Sequence, residues 1–406
     1  MRILIISPHF APLENPRAHR WTALAQYWAA QGHEVQVICA KHGQLPGKEI
    51  AEGVAIHRCG YFSTADWSLS FFSKPKQSHS TSVKSGFLIK ILDWFYQHIW
   101  KNRVFPDDSG LWVSRAHTKA QELLQSGVPD LLITVSMPFA AHLVGEKLCH
   151  QHPELSWLVD IGDPLLHPKR LEAGIQLENK TFQFASRICV TCTATKRYYV
   201  TRPFSPKVFV VPPLLYPEDG FEEEPRIAGE SLHIGYFGAL YFPYRSPAAL
   251  LQLLDRANKR LKRTVVFHWY GPIKPEMEPY FKNVPNVVLH GNVDRKTARR
   301  AMMQMDALVH IGNRSSIQLP SKFVDYLASG KAVLHLQYVE DDPFVESWGE
   351  SAGLHTIFVE EEGTGAEVQN RFFDWLRSLP QPVQKRNPEA LEHFRIQSVS
   401  NHYLMQ

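Results

Sequence analysis

The chain has 406 residues, 44% of them apolar and 21% charged, with a formal net charge of +4. That length predicts two or three domains with a large core, and so small a charge gives no reason to expect nucleic acid or an acidic partner. Five cysteines are too few and too scattered for a disulfide framework, and no run of about 18 apolar residues predicts a membrane span.

In chain order, residues 2–7 form an apolar strand that the chain enters with no secretory signal pattern. A loop rich in Pro and polar residues follows to Pro16, then a helix over 17–31 with Trp21, Leu24, Ala25 and Trp28 at helical spacing. Gly32 stops it, and 34–39 is the next strand. This is a βαβ opening without G-x-G-x-x-G, which argues against a dinucleotide oxidoreductase. Residues 63–85 read as an insertion rich in Ser, Thr, Lys and His. Residues 87–100 are apolar and aromatic, with Lys84, Lys90, Lys101 and Arg103 in or beside them. That composition suits a helix on an anionic membrane surface, and equally a core helix.

Strands are expected at 131–135, 157–160, 188–191 and 208–211, with helices at 112–125, 139–149 and 177–185. Such alternation predicts a parallel sheet covered on both faces. Residues 212–230, rich in Pro and charge, read as a linker. A second series follows: strands at 232–237, 264–269, 286–290, 307–311, 332–336 and 356–359, and helices at 247–262, 295–303 and 321–329. Residues 388–406 read as a terminal helix.

The densest chemistry lies in Leu319-Pro-Ser-Lys322-Phe-Val-Asp325, ahead of Gly330 and an apolar strand. A helix start offers unpaired N–H groups to a phosphate, Lys322 adds a charge, and Asp325 can accept from a ribose diol. The unit suits a sugar nucleotide, and equally an ordinary exposed αβ turn. Asp160 and Asp163 end a strand and suit either a base toward an acceptor hydroxyl or a turn. His142 and His167 are further base candidates. Arg17, His19 and Arg20 border the first loop and suit an acceptor phosphate or a diphosphate. Cys189-Val-Thr-Cys192 lacks the two further ligands that zinc needs. The basic run 295–300 reads as a solvated helix face.

Together, Gln31-Gly-His-Glu-Val35, Phe237-Gly-Ala-Leu240, Asp306-Ala-Leu-Val309 and Pro320-Ser-Lys through Val333 resemble the GT-B glycosyltransferases, most closely family 4, the glycogen-synthase-like group. Asp160-Ile-Gly-Asp163-Pro164 and Pro106-Asp-Asp with Trp112 resemble segments of bacterial capsule, exopolysaccharide and O-antigen enzymes. The resemblance implies an α/β GT-B fold, two doubly wound Rossmann-like domains facing a central cleft. An acceptor domain would span 1–211, a linker 212–230 and a nucleotide-sugar domain 231–380, with 381–406 crossing back to the first domain.

The implied activity is transfer of a sugar from a UDP- or GDP-linked donor to a saccharide or lipid-linked acceptor in surface polysaccharide synthesis. The implied setting is the cytoplasm, peripheral to the inner face of the membrane through 87–103. Alternatives are an epimerase or hydrolase of the same fold, or a non-catalytic nucleotide-binding scaffold. By resemblance Arg245 meets the pyrophosphate, Gly238 and Tyr270 line the donor, and Asp325 stands at the second carboxylate of a Glu-x7-Glu motif. The first would fall at Ile317, which cannot bond sugar hydroxyls, so Ser315 and Ser316 are the expected substitutes. No cofactor or metal is expected, because Arg245, Lys322 and a helix end can neutralise the diphosphate.

Overall fold

The computed structural model describes residues 1–60, 105–107, 109–166, 170–216, 221, 224–240, 245–282, 284–360, 364–380 and 391–405. The segment 87–103, His167 and much of 381–406 therefore lie outside the described residues. The chain divides into two compact units. One is Met1–Thr191 with Tyr199–Val210; the other is Cys192–Tyr198 with Val211–Gln406.

The first unit is built on eight strands: β1 (Arg2–Ile6), β2 (Glu34–Lys41), β3 (Lys48–Ala51), β4 (Val54–Gly60), β5 (Leu131–Val135), β6 (Trp157–Ile161), β7 (Arg187–Val190) and β8 (Val208–Val210). Their order is β3-β4-β2-β1-β5-β6-β7-β8, and all neighbours are parallel except β3 and β4. Helices α1 (Pro16–Ala30), α2 (Gly110–Gln125), α3 (Ala140–Gln151) and α4 (Leu171–Phe182) connect them. Strands covered on both faces are mainly apolar, as in β5 and β6, where every residue is buried and only Thr134 and Asp160 are polar. Asn15 starts α1: its side chain accepts from the Ala18 N–H at 2.9 Å, with Pro16 in the first turn. The helix expected at 177–185 begins earlier, at Leu171, and ends at Phe182. The β3–β4 hairpin was not foreseen. Its two-residue turn, Glu52-Gly53, has positive φ at both positions (48° and 76°), the twist that two-residue hairpins favour.

The second unit holds six parallel strands: β9 (Leu232–Phe237), β10 (Val265–Tyr270), β11 (Val287–Gly291), β12 (Ala307–Ile311), β13 (Val333–Gln337) and β14 (Leu354–Phe358), in the order β11-β10-β9-β12-β13-β14. Its helices are α5 (Thr193–Tyr198), α6 (Ala248–Arg260), α7 (Glu278–Phe281), α8 (Arg295–Gln304), α9 (Phe323–Ser329), α10 (Pro343–Trp348), α11 (Ala366–Arg377) and α12 (Ile396–Leu404). Two apolar clusters fill it, one around Trp269 and Phe372, the other around Met302, Phe323 and Phe344. The stretch read as a linker is partly core: Leu214 and Phe221 are buried. The segment Cys192–Tyr198 leaves the first sheet and packs with this unit, although it falls between β7 and β8 in sequence.

Candidate functional site

In an open parallel sheet, ligands bind beyond the carboxyl ends of strands where the winding direction reverses. In the second unit that point lies between β9 and β12. The two strands pair only at Ala307 with Ile234 and Leu308 with Gly235, then part. The Tyr326 hydroxyl fills the gap, accepting from the Phe237 N–H and donating to the Val309 carbonyl, each at 3.0 Å. The loops after β9 and β12 flank this crevice. Arg245 from the first donates through Nε to Asn313 Oδ1 of the second at 2.5 Å. That contact fixes the guanidinium plane and leaves its two Nη groups without another partner among the described residues.

Gly238 opens the first of these loops, donating to the Tyr270 carbonyl at 2.8 Å. Across from it, Gly271 has φ +148°, and a Cβ there would meet the Gly238 carbonyl oxygen at 2.1 Å. Only glycine fits. The Tyr270 ring is stacked between Phe237 (4.7 Å) and His290 (4.0 Å), so both of its faces are occupied and it cannot itself stack on a base. Burial raises its phenol above the usual range.

Lys322 is the residue that caps α9, and Asp325 sits in the first turn. The helix has only seven residues, two fewer than expected, because Ser321 and Lys322 form a turn. Cations therefore carry more of any phosphate contact here than a helix dipole does. The Asp325 carboxylate is nearly buried. Arg299 approaches one oxygen through Nη2 (3.1 Å) and Nε (3.3 Å), and Lys322 lies 3.5 Å from the other. Burial alone would raise its pKa, but Lys322, Arg299 and Arg295 outweigh that and lower it, so it stays ionised. The reading of 295–300 as a solvated face is corrected here. Arg299 is 3% exposed, bonds Asp325 and lies 5.0 Å from the Phe221 ring centroid.

The rest of the β12–α9 loop is held from behind. Thr195 on α5 donates to the Ile317 carbonyl at 2.6 Å, and Cys192 Sγ lies 3.7 Å from the same oxygen. Arg197, also on α5, makes a two-pronged ion pair with Glu346 of α10 (2.6 and 2.7 Å). Ser315 Oγ accepts from the Ile317 N–H at 3.4 Å. Ser316 is exposed beside it.

In the first unit the winding reverses between β1 and β5. Arg17 and Asp163 meet there, with Nη2 and Oδ2 2.7 Å apart. Arg17 lies so close over Gly162 that a Cβ would sit 2.0 Å from its Nη1. His19 pairs with Glu14 at 3.1 Å, and Arg20 is half-buried on α1. Asp160 is 4% exposed: Trp21 Nε1 donates to one of its oxygens (3.1 Å) and the Cys189 thiol to the other (3.0 Å). It is built into the core, while Asp163 is partly exposed. The two cysteines of the C-x-x-C thus serve separate partners, Cys189 this carboxylate and Cys192 the loop at Ile317. His142 is wholly buried, its Nδ1 2.8 Å from Thr134 Oγ1. Burial, then the Arg17 charge, pushes it down to about 3, so it is neutral. Burial, with Arg17 and His42, likewise brings His9 to about 4.

The sequence matches no family profile and no curated protein. Solved structures do match over nearly the whole chain. Sucrose-phosphate synthase from Thermosynechococcus elongatus is 13% identical, with 99% of this chain and 96% of that one covered and a TM-score of 0.62. HepE from Anabaena, in complex with UDP and glucose, is 12% identical over 99% and 98%, with a TM-score of 0.62. The lipopolysaccharide outer core galactosyltransferase WaaB is 10% identical over 99% and 98%, with a TM-score of 0.58. The fold is GT-B. Within that fold, the crevice at Arg245 and Asn313 is the reversal point of the second unit, and Arg17 with Asp163 marks that of the first. Arg299, Asn313 and Thr195 were missed from the sequence. Their partners lie 26, 68 and 122 positions away, so no local spacing could reveal them.

Proposed function

We propose that this chain is a glycosyltransferase, moving a sugar from a UDP- or GDP-linked donor to a saccharide or lipid-linked acceptor in surface polysaccharide assembly. The observation that carries the reading is the Arg245–Asn313 contact across the β9/β12 crevice, a cation held in place where a parallel sheet receives ligands. Support for the donor comes from the UDP and glucose in the Anabaena relative, and for the pathway from the lipopolysaccharide galactosyltransferase. Arg245 and Lys322 would bind the diphosphate and stabilise charge as it develops on the leaving group. The Asp325 oxygen not held by Arg299 would accept from the ribose diol. Ser315, Ser316 and the backbone near Ile317 would face the donor sugar, and Gly238 would admit the ligand close to the backbone.

The first unit would hold the acceptor, with Arg17, His19 and Arg20 near it. Asp163 would be the acceptor-side carboxylate. Asp160, held by Trp21 and Cys189, would position that turn rather than take the proton. The mechanism we propose is metal-independent, because the carboxylates nearest each site already have partners: Asp325 two cations, Asp163 the Arg17 guanidinium, Asp160 an indole and a thiol. A peripheral membrane position is part of the same proposal. Among the described residues no helix is long and apolar enough to cross a membrane.

The test is a panel of UDP-, GDP- and other activated sugars, following nucleotide release with and without oligosaccharide and lipid-linked acceptors, in EDTA and in magnesium. Acceptor-dependent release that survives EDTA is the expected result. Release without an acceptor would favour a hydrolase or epimerase. No turnover with tight nucleotide binding would favour a scaffold.

A further inference from the structure

The loop from β12 to α9 is fixed at both ends. Gly312 leaves β12 with its N–H on the Leu336 carbonyl at 2.9 Å, and a Cβ there would meet the same oxygen at 2.6 Å. Asn313 holds Arg245, and Lys322 opens α9 beside Asp325. The middle of the loop has less to hold it. Among the described residues, the Ile317 N–H lies 3.4 Å from Ser315 Oγ and Asn313 Nδ2 lies 3.3 Å from the Gln318 carbonyl. Both bonds are long, and both arise within the loop. The short one comes from outside it: the 2.6 Å bond that the Thr195 hydroxyl donates to the Ile317 carbonyl.

That hydroxyl had a nearer choice. A helical threonine can satisfy its hydroxyl on a carbonyl three or four residues earlier in the chain. Thr195, third in α5, reaches instead a carbonyl 122 positions away. Cys192 Sγ is 3.2 Å from Thr195 Oγ1, closer than it is to the Ile317 oxygen at 3.7 Å. With the hydroxyl proton committed to Ile317, the thiol donates to Oγ1, and the two bonds run in series, each strengthening the other. Thr195 is 0% exposed and Cys192 4%, so water cannot replace either donor. The helix that carries them is tied in turn to α10 through Arg197 and Glu346. Fully buried, Thr195 cannot itself meet a ligand; it acts through Ile317.

We propose that Thr195 is a positioning residue for the donor sugar. Its hydroxyl holds residues 315–318 in the shape that receives the sugar of a nucleotide sugar, while the nucleoside diphosphate is held without it. The division follows from where the bonds lie. Arg245 and Lys322, the cations for the diphosphate, stand at the two ends of the loop and have their own anchors in Asn313 and Asp325. Ile317 is four residues from one end and five from the other, beside Ser315 and Ser316. Losing the Thr195 bond frees the middle and leaves the ends in place. This rests on the donor-site reading above, and assigns part of the choice of sugar to α5.

The test compares nucleotide with nucleotide sugar on the full chain. UDP, UDP-glucose, UDP-galactose, UDP-N-acetylglucosamine, GDP and GDP-mannose are titrated calorimetrically into wild type, Thr195→Val and Thr195→Ser. The contribution of each sugar is the affinity of its nucleotide sugar divided by that of the parent diphosphate, and the preferred sugar is the one with the highest ratio in the wild type. Thr195→Val keeps the side-chain shape and removes the donor; it should leave UDP and GDP affinity within about twofold and cut the preferred ratio about three- to tenfold. Thr195→Ser keeps the hydroxyl and should restore the ratio. A merely structural role would lower both affinities together and leave the ratio unmoved. Hydrogen–deuterium exchange on the wild type needs no variant to fold: the preferred nucleotide sugar should protect residues 314–319 beyond the protection given by the diphosphate alone. An unchanged ratio in Thr195→Val, or equal protection of 314–319 by both ligands, overturns the proposal. Failure to bind either UDP or GDP overturns the donor-site reading itself, and this inference with it.

Discussion

The Arg245–Asn313 pair permits a quantitative prediction. Asn313 takes Nε of the guanidinium and leaves both Nη groups for a diphosphate. A hydrogen bond from a charged donor is worth about 1.5–3 kcal/mol. Arg245→Ala should therefore weaken UDP or GDP binding by roughly 10- to 150-fold, at about 1.4 kcal/mol per tenfold. Arg245→Lys keeps the charge but cannot bond Asn313 and two oxygens at once, so it should fall between wild type and Ala. Asn313→Ala removes the orientation of the fork and a 3.3 Å bond from Asn313 Nδ2 to the Gln318 carbonyl, but no charge. Because the charge and both Nη groups of Arg245 remain, its cost should be smaller, roughly two- to tenfold. Because Asn313 acts through Arg245, the double variant should bind no worse than Arg245→Ala alone. Calorimetry or fluorescent-nucleotide displacement gives all four values. Additive losses in the double variant would refute the coupling, and wild-type affinity in Arg245→Ala would remove the residue from the site.

Three further predictions concern the framework. His142 and His268 are held neutral, at about 3 and about 4, chiefly by burial. The unfolded chain binds protons on these residues first, near pH 6.5, so their contribution to stability is complete above about 6.5 and falls as pH drops toward 4, by up to about 3 kcal/mol for His268 at ~1.36 kcal/mol per unit. Melting temperature should decline over that window, and a flat profile from pH 7.5 to 4.5 would contradict it. Gly271→Ala must both adopt φ +148° and displace the Gly238 carbonyl; it should destabilise the second unit by more than about 2 kcal/mol, measured by denaturant unfolding. Arg299→Met leaves the buried Asp325 with Lys322 alone, at a cost of about 3–5 kcal/mol, and Arg299→Met with Asp325→Leu should recover most of it.

Much of the scaffold was legible because it rests on local pattern. Doubly covered strands such as β5, β6 and β12 are apolar at all but one position each, and their helices keep the 3.6-residue period. The β3–β4 hairpin was not legible, since Glu52 gives no sign that it will adopt positive φ. The short helices α5 and α10 escaped because six residues are too few for a period to emerge. The basic run on α8 misled for a different reason. Arg295 and Arg299 share one helix face and Lys296 and Arg300 the next, so the same string of charges is half inside and half outside. Only the neighbouring Asp325 and Phe221 decide which half is buried.

The loop between β12 and α9 marks where the sequence ran out. Lys322 and Asp325 could be paired on paper because three positions separate them on one helix. Arg245 with Asn313 and His310 with His335 could not, because those pairings exist only through strand order and register. Ile317 is the most instructive position. Counted as a side chain it is a motif carboxylate replaced by an alkyl group, which reads as loss. Its carbonyl, however, accepts from Thr195, a fully buried hydroxyl on α5. That bond sets the path of the loop between Asn313 and Lys322 whatever side chain stands at 317. The backbone there retains a structural role that no comparison of side chains could report. A departure from a motif at that position therefore argues for altered sugar contacts before it argues for a site that has ceased to work.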